Sequence, residues 1–463
     1  MTIKNANLIT FLFALILLAI SCTNDQPVLN DGIIMMVDSI PYRSSIFERR
    51  YSIGGTSPVV TEDDIRNYLD ETIKPELLYV KGAYENGIDK RTRISQKLEN
   101  FKKETIEKAH PILDQDILIS EKSIHNFYEN SRNLFNFGIL ATKSFKTSTQ
   151  LVDDYKSGVL QVNDYIPDLE KNQRPMFPSY TLFEKVEYGT QLPPNIFDEL
   201  VHMKDGEISQ PINMGGVWGS IIFINKQENK KLRSFDLEKD DIQKKATFMY
   251  RIKAVESYKK ELMTKFNVKI NNWNKIEILK YYDEEKNSIN YPDNVQVFSI
   301  YECEKFKITN QDVMDFYNHL NPFAMTKPSL LSEQDLDVVA NRLLDINLLY
   351  FDALEIGVQK DPLIIDQIIN RKQIELRNTF IRENFGKIEK GLSEEELLHY
   401  YQANRDKYSG DYEKMKKNVM DDLYMYKINL KKETTLADLE KRAKIFYNEN
   451  EIKKFSKLFS KNK

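Results

Sequence analysis

Gly206-Glu207-Ile208-Ser209-Gln210-Pro211-Ile212, then Gly215-Gly216, then Ile221-Ile222-Phe223-Ile224, is the run of residues on which the reading of the whole chain turns. Ile196, Leu200, Val201 and Met203 before it are spaced for one face of a helix. That helix is expected to stop at Lys204-Asp205-Gly206, where glycine supplies a left-handed cap. Pro211 then opens a short extended segment, Gly215-Gly216 turns it, and the apolar run from Ile221 reads as a buried strand.

Outward from this stretch, landmarks recur. Phe127-Tyr128 returns as Tyr400-Tyr401, and Phe248-Met249-Tyr250-Arg251-Ile252 returns as Tyr424-Met425-Tyr426-Lys427-Ile428. The first pair of landmarks stands 120 positions apart and the second 23, an excess of 97 residues, enough for one small domain. Further matches hold a nearly constant offset: Leu77-Leu78-Tyr79 with Leu348-Leu349-Tyr350 at 271, Gly87-Ile88 with Gly357-Val358 at 270, and Ser120-Glu121 with Ser393-Glu394 at 273. A divergent duplication with a domain inserted in its first copy, from Ser131 to about Ser234, accounts for all of them.

The close of the insert, Leu192 to Lys226, resembles the end of a parvulin-type peptidyl-prolyl isomerase domain. The resemblance implies a four-stranded antiparallel sheet with helices. It also implies an apolar pocket beside two histidines, which would lower the barrier of about 18–20 kcal/mol to rotation about X-Pro. Matched residue by residue, Gly138 precedes the apolar pair Ile139-Leu140 where the first histidine belongs, and Ser220 precedes Ile221-Ile222 where the second belongs. The glycine-rich stretch before the pocket is replaced by Phe177-Pro178-Ser179-Tyr180. Leu192 and Ile196 fall on the two apolar pocket positions, so with Ser220 they are the candidate substrate-binding residues, against the plainer reading that Leu192 and Ile196 only pack a helix. No catalytic residue is assigned, and His202 reads as a surface residue of its helix.

Composition bounds the rest. At 463 residues the chain exceeds a single core, and 29% charged with 41% hydrophobic residues suits a helix-rich globular protein. A net charge of -4 argues against a nucleic-acid surface. The five histidines and two cysteines have no metal-like spacing, so no metal and no cofactor is expected. Cys303 reads as a small buried hydrophobe. Leu8 to Ile20 is almost unbroken in apolar character but too short to span a bilayer, and Ala19-Ile20-Ser21-Cys22 resembles a bacterial lipobox. That resemblance implies acylation of Cys22; a cleaved signal peptide is the alternative.

In order, Ile33 to Val37 reads as a strand, and Thr61-Glu62-Asp63-Asp64 caps a helix that Pro75 should kink or divide. Helical runs follow through Ile94, Leu98, Phe101 and Ile106, and from Ser120 to Tyr128. Phe235 to Val268 is helical and ends at Asn271-Asn272. A second strand is expected about Val295 and Val297, a helix after Thr309, and a final long helix from Asp411. Taken together, the chain resembles the SurA/PrsA type of extracytoplasmic foldase. The expected class is α+β: two mainly helical SurA-N-like chaperone modules, the first carrying the parvulin-like domain. The boundaries are 1–21 signal peptide, 22–32 tether, 33–130 with 235–271 first module, 131–234 parvulin-like domain, 272–294 linker and 295–463 second module. The resemblance implies an envelope-located, periplasmic chaperone, lipid-anchored to a membrane, whose partners are unfolded or exported polypeptides, outer-membrane proteins among them. An active isomerase and a lipoprotein scaffold for one dedicated partner are the alternatives.

Overall fold

In the computed structural model, which describes residues 32–54, 60–114, 117–165, 177–190, 192–292, 294–320, 326–386 and 392–461, the apolar run near the start forms strand β1 (Ile33–Val37). Cys22, the signal segment and most of the tether lie outside the described residues. Strand β2 (Ile40–Arg43) follows a tight turn at Asp38, whose φ is +52°, and α1 (Ser44–Gly54) continues from it. Thr61 caps α2 (Glu62–Tyr68) in a full capping box with Asp64. Pro75 does not divide the next helix. A π turn, Leu69–Ile73, closes with Lys74 N–H donating to the Leu69 carbonyl and leads into α3 (Lys74–Glu85). The widened turn leaves room for the proline ring, and Pro75 stands in the first turn of α3, where its missing N–H costs little.

The chain goes on through α4 (Thr92–Lys108), α5 (Pro111–Asp114) and α6 (Glu121–Ser131) to the inserted strands β3 (Asn133–Thr142), β4 (Ser179–Glu187), β5 (Ile212–Asn213) and β6 (Trp218–Glu228). Helix α7 (Phe145–Lys156) lies between the first two strands and α8 (Pro194–Leu200) before the third. The strands form one antiparallel sheet in the order β4-β3-β6-β5, with Leu140 opposite Ser220 and Gly138 opposite Ile222. Gly215-Gly216 turns the β5-β6 hairpin as its sequence demands. Gly206 has φ +80° but is no helix cap: α8 already ends at Leu200, and Gly206 turns the loop beyond it.

After the sheet come α9 (Phe235–Lys265), β7 (Lys269–Ile270), α10 (Lys275–Leu279), the hairpin β8 (Tyr282–Asp283) and β9 (Ser288–Ile289), β10 (Ser299–Glu302), β11 (Lys307–Thr309), α11 (Asn310–Asn318) and α12 (Glu333–Ile356). Residues 272–294 are therefore not a linker, because Ile278 and Ile289 are buried in a core. The strand expected at Val295 and Val297 begins instead at Ser299, with Val297 exposed. Helices α13 (Pro362–Phe385), α14 (Glu394–Ala403) and α15 (Tyr412–Lys441), strand β12 (Ile445–Tyr447) and α16 (Glu449–Lys461) complete the chain.

Two compact units result. One joins the described residues up to Lys102 to those from Asp361; the other is Lys103–Lys360. In the first, β12-β1-β2 form a sheet, and Phe47, Ile65, Leu69, Leu77 and Leu78 share a core with Leu376, Phe380, Leu439, Ile452 and Phe455. In the second, β11-β10-β7 form a like sheet over Leu262, Phe266, Ile300, Met314, Tyr317, Leu336 and Leu348. Each such buried side chain contributes roughly 1.5–3 kcal/mol. Each three-stranded sheet takes two strands from one run of the recurring elements and its third from the other run. The modules expected at 33–130 with 235–271 and at 295–463 thus do not keep separate cores: the start of the chain packs on its end.

The long returning helices also correct the register of their match. Buried Ile242, Ala246 and Leu262 of α9 correspond to buried Val419, Leu423 and Leu439 of α15, an offset of 177, whereas the paired landmarks imply 176. Similar letters one position out of step had masked which side chains face inward.

Candidate functional site

The two faces of the four-stranded sheet are set by strand alternation, since neighbouring side chains point to opposite sides. Phe135, Phe137 and Ile139 of β3 and Ile221 and Phe223 of β6 face one way, onto Ile196, Phe197 and Leu200 of α8 and onto Ile124, Phe127, Ile242, Ala246 and Met249 of α6 and α9. Leu140 and Ile222 face the other way, under Leu151 and Val152 of α7, with Tyr180 and Ile208.

This division separates the three candidate binding residues. Ile196 is fully buried and Leu192 half-buried in the first cluster. Ser220 is fully buried on the opposite face, where its hydroxyl lies 3.1 Å from that of Ser148 on α7. They form no common groove: Ile196 packs α8 against the sheet, and Leu192 stands just before α8 at the edge of the same cluster. Gly138 lies on the Ser220 face beneath Tyr180: a Cβ there would stand 2.1 Å from the Tyr180 hydroxyl. The two positions where the parvulin resemblance places histidines are thus filled, one by a tyrosine ring and the other by a serine pair. Tyr180 went unrecognised because its role depends on the β3-β4 pairing, which sets it opposite Leu140 and lets its ring reach over Gly138 two residues away. His202 is exposed, and its Nδ1 donates to the Asp198 carbonyl, 2.8 Å away.

Two buried carboxylates elsewhere in the same unit are committed to structure. Asp335, fully buried in the first turn of α12, accepts from Phe145 N–H (2.7 Å), Trp218 Nε1–H (2.8 Å), the Ser144 and Ser332 hydroxyls (3.0 and 2.7 Å) and Leu331 N–H (3.2 Å). These five donors fasten the β3-α7 corner and the start of β6 to α12 and leave no free edge for acid or base work. The spacing Ser332-x-x-Asp335 was a legible cap signal; its burial under Trp218 was not.

Asp352 accepts from His110 Nε2–H (2.8 Å), Tyr258 (2.5 Å) and Lys265 (2.5 Å). His110 Nδ1 accepts from Ile112 N–H, so the ring is neutral with its proton on Nε2. Burial pushes the Asp352 carboxyl up, but Lys265, Tyr258 and His110 outweigh it and hold the group below the usual carboxylate range. Burial, and then the Asp352 carboxylate, push the Tyr258 hydroxyl up to about 12. Among the described residues no three His, Cys, Asp or Glu side chains group as a metal would need, and no helix is long and apolar enough to cross a membrane.

The other unit holds an open cleft of about 410 Å³ between the β1-β2 turn, α3 and α13, lined by Ile40, Pro41, Lys81, Tyr84, Ile369 and Lys372 among others. Its cations are engaged: Lys81 pairs with Asp38 (2.5 Å) and Glu85 (3.1 Å), and Lys372 stands over the Tyr84 ring.

No protein-family model and no curated protein matches the chain. Solved structures do. The peptidylprolyl isomerase PrsA of Bacillus anthracis matches at 16% identity and a TM-score of 0.23, with 50% of this chain and 96% of that one covered. The foldase PrsA of Streptococcus pneumoniae matches at 12% and 0.22, covering 50% and 82%. A SurA-like chaperone of Campylobacter jejuni matches at 15% and 0.22, covering 50% and 94%. Over 50% of its length this chain is similar to solved PrsA and SurA-like proteins.

Proposed function

We propose that the protein is an extracytoplasmic chaperone of the SurA/PrsA type, held at a membrane through acylated Cys22, that binds unfolded exported polypeptides, outer-membrane proteins among them, without efficient prolyl isomerisation. The observation that carries this reading is the β4-β3-β6-β5 sheet set between α6 and α9, together with the closure of its two would-be histidine positions by Tyr180 over Gly138 and by Ser148 on Ser220. A guest domain with the four-stranded antiparallel sheet that the parvulin resemblance implies, but no histidine pair, keeps the architecture of a foldase and loses the groups that would act on a twisted amide. Clients would be held by reversible burial of apolar segments on helix faces, where aromatic side chains give large contact area at small entropic cost.

The test is suppression of aggregation of a urea-denatured outer-membrane protein diluted into buffer. Stoichiometric protein is expected to keep it soluble, while a protease-coupled assay on an X-Pro peptide shows no acceleration. Aggregation unchanged at equimolar protein sinks the chaperone reading, and acceleration lost in Leu192→Ala restores the isomerase. Membrane extracts yielding one stoichiometric partner favour the scaffold instead. For the anchor, Cys22→Ala is expected to move the protein from the membrane to the soluble fraction.

A further inference from the structure

Helices α6 and α9, which carry the guest sheet, have counterparts in α14 and α15, which carry none. Ser120 and Ser393 cap α6 and α14, and buried Ile124 and Tyr128 match buried Leu397 and Tyr401. On this register Phe127 corresponds to Tyr400, Met249 to Tyr426 and Lys253 to Leu430.

The first member of each pair is covered. Phe127 and Met249 are buried, with the Tyr188 ring edge-on to Phe127 at 5.0 Å. Gly189, with φ +77°, brings its backbone so close that a Cβ would stand 2.2 Å from the Phe127 ring and 3.0 Å from Met249 Sδ. Lys253 is paired with Asp198 of the guest at 2.7 Å. Phe127 and Met249 therefore form a notch that seats an aromatic residue followed by glycine at the end of a strand.

Of the second members, Tyr400 is half-buried against its own core cluster, while Tyr426 and Leu430 are exposed. Tyr400 and Tyr426 stand at the matching places with rings 5.8 Å apart, and Tyr426 is 54% exposed and Leu430 47% exposed. Where the covered face carries a lysine paired to the guest, the open one carries leucine, so a side chain left in water is apolar where its covered counterpart is charged. A large exposed apolar surface of this kind marks an interaction site.

We propose that the Tyr400-Tyr426-Leu430 face seats an extended segment of a non-native polypeptide in which an aromatic residue is followed by glycine, as Tyr188-Gly189 is seated on Phe127 and Met249. The proposal rests on the chaperone reading and gives it an address and a sequence preference. The chemistry of the occupant comes from the guest: the ring fills the notch, glycine permits backbone approach, and Leu430 favours an apolar neighbour over the acidic one that Lys253 takes.

The probe is a fluorescein-labelled peptide with the sequence of residues 183–190, measured by anisotropy against the full chain. Expected are saturable binding, a Kd raised at least tenfold by Tyr426→Lys or Leu430→Lys, no change with Leu458→Lys, and loss of binding when the peptide tyrosine is replaced by serine or its glycine by valine. All three protein positions are exposed, and far-UV circular dichroism checks that each variant folds. Equal binding by wild type and Leu430→Lys, or indifference to the peptide glycine, overturns the proposal. A dimer in sedimentation velocity that Leu430→Lys dissolves also overturns it, by showing that a second copy covers the face. Aggregation suppression separates the two readings: wild-type suppression that persists undiminished in Tyr426→Lys defeats this address and leaves the chaperone standing, whereas no wild-type suppression defeats the chaperone itself.

Discussion

Thr61-x-x-Asp64 and Ser332-x-x-Asp335 are the same helix cap 271 residues apart, one in each unit, and they do different work. In the first unit Asp64 is exposed and, among the described residues, bonds only within its capping box. In the second Asp335 is wholly buried and also fastens the guest through Phe145, Ser144 and Trp218. Further along the same helices the positions diverge again. Lys81-Gly82 answers Asp352-Ala353 at 271, and Phe380 answers His110 at 270. Gly82 leaves room for the Phe380 ring, which a Cβ would meet at 2.6 Å. Asp352 accepts a hydrogen bond from His110 Nε2–H instead. Had each run of elements packed on itself, the Ala353 methyl would meet Phe380, and Asp352 would be buried away from His110. The exchange of halves is thus written into a few complementary pairs, because a buried carboxylate without donors and an overfilled core are both costly.

The comparison is broken most forcefully at Asp335. Asp335→Ala strands the Trp218 and Phe145 N–H groups, and a loss of about 3 kcal/mol is expected from the second unit. Trp218 and Trp273 both lie in that unit and are the chain's two tryptophans, so their emission during urea unfolding reports it alone. Asp64→Ala is expected to leave that emission transition where it was. A common shift in both variants would mean that the two caps are energetically alike.

Charge sharpens the contrast at a smaller scale. Asp352 is held below the ordinary carboxylate range, so the stability it contributes is present above about pH 4 and is lost as pH falls through its folded value. Asp352→Asn is expected to cost about 2 kcal/mol at neutral pH and to flatten the fall of the tryptophan transition below pH 4. The first unit's Asp38 is lowered too, where burial is outweighed by the Lys444 backbone and Lys81, but it is a third exposed and its contribution is screened. An acid slope that survives in Asp352→Asn would place the sensitivity elsewhere.

What was readable in the sequence was whatever acts locally. The β5-β6 turn followed from Gly215-Gly216, the caps at Thr61 and Thr309 from their spacing, and the buried strand from Ile221-Ile222-Phe223. Pairing between distant segments was not readable. Two runs with the same apolar pattern offer the same faces, so periodicity is silent on whether β1 pairs with β12 or with β7. The separation of the candidate residues was hidden for a related reason: Ile196 and Ser220 match motif positions one by one, but Ser220's side follows from strand parity and Ile196's from the face on which α8 packs. The one-residue error between α9 and α15 arose because Phe248 and Tyr424 look alike as letters, while Ala246 and Leu423 share an orientation.

The finest test of the exchange is a single methyl. In the middle of α3 an alanine is ordinarily preferred to glycine by about 0.5–1 kcal/mol. Gly82→Ala should reverse that sign, because the added Cβ meets Phe380 at 2.6 Å and Leu439 at 3.3 Å, and Phe380 is itself buried in the core. Overfilling costs about 1–3 kcal/mol, leaving a net loss of about 1 kcal/mol from the first unit. It should appear in the circular dichroism transition and not in tryptophan emission. Phe380→Leu placed with Gly82→Ala removes the obstacle, so the double variant should lose less than the two single losses added. If the losses simply add, the glycine is not there to admit the ring, and the complementarity that pairs the start of the chain with its end must be sought in other residues.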